Sequence, residues 1–205
     1  MRAADLVGCH RRRHARTTVA ESAHTPAPNL VARDFAASVP DRLWFGDITY
    51  IATWEGWLYL AVLLDAHSRR VVGWAMADHL RAELARDALA MALGSRRPAA
   101  GLIHHTDRGG QYTAVAYQEA LAARGVTTSM SHAGDCYDNA MAERFFATRK
   151  TELVDTRPWP TRQTARQAIF AWIEVFYNRQ RSHSALGYQT PVAFEQELAK
   201  EVQAA

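Results

Sequence analysis

The sequence predicts an α/β fold, a mixed five-stranded sheet in which an antiparallel meander is extended by two parallel strands and flanked by helices. Three observations carry this. First, "LWFGDITYIATW" (43–54), "WLYLAVLLDA" (57–66) and "RVVGWAMAD" (70–78) are rich in β-branched and aromatic residues. Second, only the short breaks Glu55-Gly56 and His67-Ser68-Arg69 separate them, as hairpins require. Third, the hydrophobic period then lengthens to that of helices, and strand-like and helix-like segments alternate as in crossover units.

Taken in order, residues 1–40 show no sustained period, and "ESAHTPAPNLVARDFAASVP" is rich in Pro, Ala and small polar residues, so this stretch is expected to be a basic arm or linker. After the meander, "LRAELARDALAMAL" (80–93) repeats Leu80, Leu84, Ala88 and Met91 at helical spacing. "GLIHHTD" (101–107) is a short strand ending in a carboxylate, and "AVAYQEALAARG" (114–125) is a helix closed by Gly125. "VTTSM" (126–130) is a fifth strand, and "SHAGDCYD" (131–138) is a polar loop whose Asp138 is expected to cap a helix over 140–150. A longer helix follows over about 161–179. A meander followed by two right-handed crossovers sets the fourth strand beside the first. The expected division is an arm over 1–40, a core over 41–155 and a helical basic extension over 156–205.

The 205 residues suffice for one substantial core, and 48% hydrophobic content argues for a globular chain. The most apolar stretch, Trp57 to Leu64, is strand-length, so no membrane span is expected. The basic start lacks an apolar segment followed by a cleavage site, and no secretory signal is expected. Cys9 and Cys136 stand far apart in unlike contexts, which fits a reducing cytoplasm. Net charge is only +3 but uneven: residues 1–33 carry six Arg against two acids, and residues 144–181 eight basic residues against three acids. Basic ends around a more acidic centre suit a polyanion, because Lys and Arg displace counterions from phosphates.

Three carboxylates draw attention. Asp47 lies inside an apolar strand, where a charge costs several kcal/mol unless it is paired or holds a metal. Asp107 ends the fourth strand, at the edge where α/β sheets bind ligands. With the first and fourth strands adjacent, these two can converge, and Glu143 on the following helix can close the cluster. All-oxygen ligation selects Mg²⁺ or Mn²⁺, and two such ions about 3.5–4 Å apart can hold the attacking and leaving oxygens of a phosphodiester in line. Lys150, seven residues after Glu143, projects about 10 Å away on the same face, suited to a neighbouring backbone phosphate. Each carboxylate also has a bland alternative, as a paired strand residue, a turn residue or an exposed helical charge. Asp65 precedes a turn, where Asp is ordinary, and His104 and His105 face opposite ways on one strand, which suits hydrogen-bonding core residues.

"WFGDITYI", "WLYLAVLLDAHSRRVVGW", "LIHHTDRGGQYT", "SMSHAGDCYDNAMAERFFATRKTEL" and "FYNRQRSHSALGYQTPVAFE" together resemble the OrfB transposases of bacterial insertion sequences, whose catalytic core is retroviral-integrase-like. The likeness runs from about residue 28 to 195, with the family's spacing of 35 residues between Asp107 and Glu143. It implies an RNase H-like core in which Asp47, Asp107 and Glu143 are catalytic and bind two divalent ions, Mg²⁺ or Mn²⁺. It also implies cleavage and 3′-OH strand transfer on the element's DNA ends. Two departures stand out. Only "LVGCHRRRHARTT" resembles a remnant of the family's helix-turn-helix, and Arg149 stands where relatives commonly carry an apolar residue.

The expected function is therefore a DDE-type transposase or integrase of the bacterial cytoplasm and nucleoid, acting as a homo-oligomer on element and target DNA. The upstream reading frame would be fused or associated and would supply recognition of the ends. Arg11, Arg12, Arg13, Arg144, Lys150, Arg179 and Arg181 are the expected DNA contacts, mostly to phosphates and so with little sequence preference. A simple nuclease with the same site is the first alternative, and a catalytically silent DNA-binding fragment the second.

Overall fold

The computed structural model describes residues 26–132, 136–154 and 157–204. Strands β1 (Leu43–Thr53), β2 (Gly56–Asp65) and β3 (Val71–Ala77) form the expected meander, with Trp44 opposite Asp65 at one end of the first hairpin and Thr53 opposite Gly56 at the other. Gly56 takes φ +106, a conformation that only glycine enters cheaply, and so closes that hairpin. At the second turn the buried Asp65 accepts from the backbone N–H groups of His67 and Ser68 and from the Ser68 hydroxyl. Asp65 is thus a turn carboxylate.

Helix α1 (Ala82–Arg96) leads to β4 (Ile103–Thr106); α2 (Gly110–Thr113) and α3 (Val115–Ala122) lead to β5 (Thr127–Met130). Strands β4 and β5 are parallel to β1 and to each other, and the sheet order is β3-β2-β1-β4-β5. The fourth strand lies beside the first, as the crossover rules require.

The sheet is packed on both sides. One core contains Trp44, Leu63, Leu84, Leu89 and Leu102, beneath α1 and α3. The other contains Phe45, Leu60, Phe145, Ile169, Trp172 and Tyr177, beneath helices α4 (Ala140–Glu152) and α5 (Arg162–Ala171) and the π-helical continuation Trp172–Tyr177. Thr161 starts α5 through reciprocal bonding with Thr164, its hydroxyl accepting the Thr164 N–H at 3.1 Å.

Helix α1 approaches the sheet closely at Gly73, where an added Cβ would stand 2.4 Å from the Ala88 carbonyl oxygen and 2.7 Å from the Ala92 Cβ. Backbone cannot rotate out of the way. Gly73→Ala is expected to destabilise the fold by about 1–3 kcal/mol, the range for overpacking, read as a lowered urea midpoint. An unchanged midpoint would mean that α1 does not seat on β3 as described.

Several local expectations are corrected. Asp138 does not cap α4, whose N-cap position is Asn139 with no side-chain cap. Instead the buried Asp138 gathers the His132 N–H at 2.9 Å, the His132 ring Nδ1 at 2.8 Å, the Asn29 amide at 3.0 Å and Arg33 Nε at 3.4 Å. The same entering segment is held against β5 by Leu30 N–H to Ser129 Oγ and Met130 N–H to the Pro28 carbonyl. Helix α3 ends at Ala122, and Gly125 sits beyond it at φ +63 in the turn into β5. The C-terminal helix α6 (Pro191–Ala204) has no counterpart among the predicted elements. Its Glu195 pairs with Arg96 at 2.8 Å and Arg70 at 2.6 Å, while Arg96 also pairs with Asp41 at 2.9 Å. Arg149 is buried, with its guanidinium 5.6 Å from the Phe146 ring centroid. Among the described residues, no helix is long and apolar enough to cross a membrane.

Candidate active site

The parallel register of β1 and β4 aligns Phe45 with His105. Two residues further along each strand direction lie Asp47 and Asp107, which line one cleft of about 440 Å³ together with Tyr59, Gln111 and Tyr112. The convergence follows from strand order alone. Asp47 is held by the Ile48 N–H at 2.8 Å and Asp107 by the Gly109 N–H at 2.9 Å. Gly109 permits that turn, since a Cβ there would stand 3.0 Å from Asp107 Oδ1 and 2.9 Å from Gln111 Oε1. Among the described residues, neither carboxylate is paired with a cation.

The electrostatics follow from that geometry. Burial pushes the Asp47 carboxyl up to about 8, with Asp107 and then Glu143 adding repulsion and the Ile48 N–H partly offsetting it. Asp107 is also raised by burial, against the Gly109 N–H. Glu143, on the first turn of α4, is exposed and does not line the cleft, yet its charge reaches Asp47; partial desolvation raises its own carboxyl. The structure therefore brings two of the three expected carboxylates together and holds the third nearby. Among the described residues, no three His, Cys, Asp or Glu side chains converge tightly enough to enclose an ion.

The strand histidines are committed elsewhere. His104 Nε2 lies 2.7 Å from the Tyr117 hydroxyl, and burial lowers its pKa to about 3, leaving it neutral. His105 Nδ1 lies 2.8 Å from Ser129 Oγ, with Ser131 Oγ 3.3 Å from its Nε2. Both are core residues.

Tyr112 is a site residue that sequence reasoning misses. It is buried at the cleft, its hydroxyl raised by burial and then by the negative Asp47. The available signal is "RGGQYT", which follows Asp107 but carries no distinctive chemistry by itself. Tyr50 and Trp57 form an exposed rim, their rings 4.9 Å apart and T-shaped. Of the expected DNA contacts, Lys150, Arg144 and Arg179 are exposed, and Arg181 pairs with Glu152 at 2.9 Å. Arg11, Arg12 and Arg13 lie outside the described residues.

Two integrase core domain family models match, over residues 37–136 and 124–191. The transposase of insertion element IS904 from Lactococcus lactis is 48% identical over 168 residues, which are 82% of this chain and 66% of that protein. A 31 kDa protein of insertion element IS600 from Shigella sonnei is 46% identical, over 92% of this chain and 70% of its own length. The chain belongs to the integrase-core transposase family of insertion elements. The IS3 transposase InsF of Escherichia coli is 48% identical, but this chain spans only 58% of it. Among solved structures, a chain of the simian T-cell lymphotropic virus intasome in complex with PP2A regulatory subunit B56 gamma superposes with a TM-score of 0.64 at 17% identity, over 85% of this chain and 60% of that one. The magnesium-bound catalytic core domain of HTLV-2 integrase superposes with a TM-score of 0.58 at 17% identity, over 78% of this chain and 99% of that domain. These two likenesses show that this chain has the fold of integrase catalytic cores.

Proposed function

We propose that this chain is the catalytic core of a DDE-type transposase, a polynucleotidyl transferase that cleaves DNA strands and joins the freed 3′-OH to a target. The observation that carries it is the pair Asp47, on β1, and Asp107, just past the end of the adjacent parallel β4, which line one cleft without a cationic partner among the described residues. A desolvated, unpaired carboxylate pair is costly in a metal-free fold and is the donor set hard cations take. Two Mg²⁺ or Mn²⁺ ions fit that chemistry, and when bound they would supply Lewis-acid activation of the phosphodiester and its attacking oxygen.

The chain's own contribution is positional. Asp47 and Asp107 would hold the ions in the cleft, with Glu143, whose charge reaches Asp47, as the third ligand. Lys150 grips a flanking phosphate from further along α4, while Arg144, Arg179 and Arg181, with Arg11 to Arg13 from the arm, add non-specific affinity. In this division residues 41–155 carry the chemistry and part of the grip on DNA, to which the arm over 1–40 and the extension over 156–205 add. Recognition of the element's ends comes from a fused or associated product of the upstream frame, within a homo-oligomer.

The test is a gel assay with a labelled terminal-repeat duplex, a target duplex and Mg²⁺ or Mn²⁺, using this chain and its upstream fusion. Nicks that leave a 3′-OH, followed by covalently joined products, are expected. Nicking without any joined product would favour the simple nuclease, and no metal-dependent nicking would refute the proposal.

A further inference from the structure

A second pocket, of about 490 Å³, lies between the β2–β3 turn, the side of α4 and the segment after the π-helical stretch. Arg69, Arg144, Arg181, Ser182, His183 and Ser184 are among its lining, and among the described residues no carboxylate is. Arg181 already has Glu152 at 2.9 Å. The other two guanidinium groups lack such compensation: among the described residues, no carboxylate lies within ion-pairing distance of Arg69 or Arg144. Arg69 donates instead to the thioether of Met141 at 2.9 Å, a poor acceptor for a cation.

The two arginines feel each other. Burial lowers the proton affinity of Arg69, Tyr177 raises it, the Arg144 charge lowers it again, and Asp65 gives a smaller relief. His183 is held neutral, its pKa lowered to about 4 by burial and then by Arg181 and Arg69. Its buried Nε2 has no hydrogen-bond partner among the described residues. Two lining residues, Arg69 at φ 61 and Tyr188 at φ 64, adopt the left-handed conformation that non-glycine residues seldom enter. Strained backbone, clustered cations and an orphaned ring nitrogen all lie around one cavity.

We infer that this pocket seats a backbone phosphate of bound DNA, with Arg69 and Arg144 as its charged clamp and the serine hydroxyls and His183 as hydrogen-bonding walls. Guanidinium forks match phosphate oxygens in geometry, and an arriving anion removes the repulsion between the two cations. Arg144 directly follows Glu143 on α4, so a strand passing the proposed reaction centre lies within reach of the pocket. The assignment of DNA as the ligand rests on the transposase reading above, whereas the demand for an anion does not. Arg144 and Lys150, six residues apart on one helix, would then hold phosphates about 9 Å apart along the axis.

The test is fluorescence anisotropy with a random-sequence duplex across a salt series, comparing the unaltered chain with Arg69→Gln/Arg144→Gln and with the single, exposed Arg144→Gln. Mn²⁺ titration and thermal unfolding of each variant are run alongside. Affinity is expected to fall by about tenfold in the double variant, and the slope of log affinity against log salt by about 0.9, for the one phosphate left without its cationic clamp. The single variant should lose half of that slope, and Mn²⁺ binding should not change. Unchanged affinity and slope in the folded single variant would overturn the inference. A saturable thermal shift with inorganic phosphate alone, undisturbed by duplex, would overturn the assignment to DNA and leave a small-anion site. If Asp47→Asn cleaves normally while the arginine variants lose the slope, the catalytic proposal falls and the pocket stands.

Discussion

Asp47→Asn, Asp107→Asn and Glu143→Gln are each expected to lower metal-dependent strand cleavage by about a thousandfold or more, equivalent to roughly 4 kcal/mol of transition-state stabilisation. Stability should move the other way for Asp47. In the metal-free fold its charge is desolvated and repelled by Asp107 and Glu143, while an Asn oxygen can still accept the Ile48 N–H. Asp47→Asn should therefore raise the unfolding temperature in chelator while abolishing cleavage, the trade-off expected where stability has been given up for function. Asp107→Asn should do the same more weakly, and Glu143→Gln, being exposed, should leave it nearly unchanged. The checks are a single-turnover cleavage assay and a thermal melt of each variant. Normal cleavage by any one variant would remove that residue from the site.

The second large effect is in pH. The Asp47 carboxyl is raised to about 8 in the folded chain, against about 3.9 when unfolded. Below the unfolded value both states hold the proton, and this contribution to stability is fully present. Between about 4 and 8 the native state alone holds it, so stability declines as pH rises through that window. Asp107 and Glu143, both raised, act with the same sign. Asp138 acts oppositely: the His132 N–H and ring hold it down to about 2, and its contribution is lost only in strong acid. The Asp47 proton must leave before Mg²⁺ can bind, so metal should flatten the profile and bind more tightly as pH rises toward 8. Urea midpoints from pH 5 to 9, in chelator and in saturating Mg²⁺, read both effects. A chelator profile without a decline would mean that Asp47 ionises freely and is not confined as described.

Much of this is legible in the sequence because it is local or topological. Alternation and short breaks mark the meander, and chain order with crossover handedness puts β4 against β1. That one adjacency brings Asp47 and Asp107 level. What escapes a reading of the sequence depends on contacts between residues far apart along the chain. Asp138 resembles a helix cap because Asp before an apolar helix usually is one, but Asn29 and Arg33, over 100 residues earlier, claim its oxygens. Helix α6 is seated by Glu195 against Arg70 and Arg96, partners 125 and 99 residues away along the chain. The clustering of Arg69 with Arg144 and His183 joins three distant segments, and no spacing in the sequence encodes it.

The cluster around Asp138 also behaves as an anchorage. The chain enters the core through residues fastened at Pro28, Asn29, Leu30 and Arg33, and the last of those fastenings ends five residues before Glu143. Tension applied to the entering segment is therefore delivered to the edge strand β5 and to the root of α4. On the proposed assignment of Glu143, a tether of that kind would make the third carboxylate's distance from the other two responsive to whatever pulls on the chain from its N-terminal side.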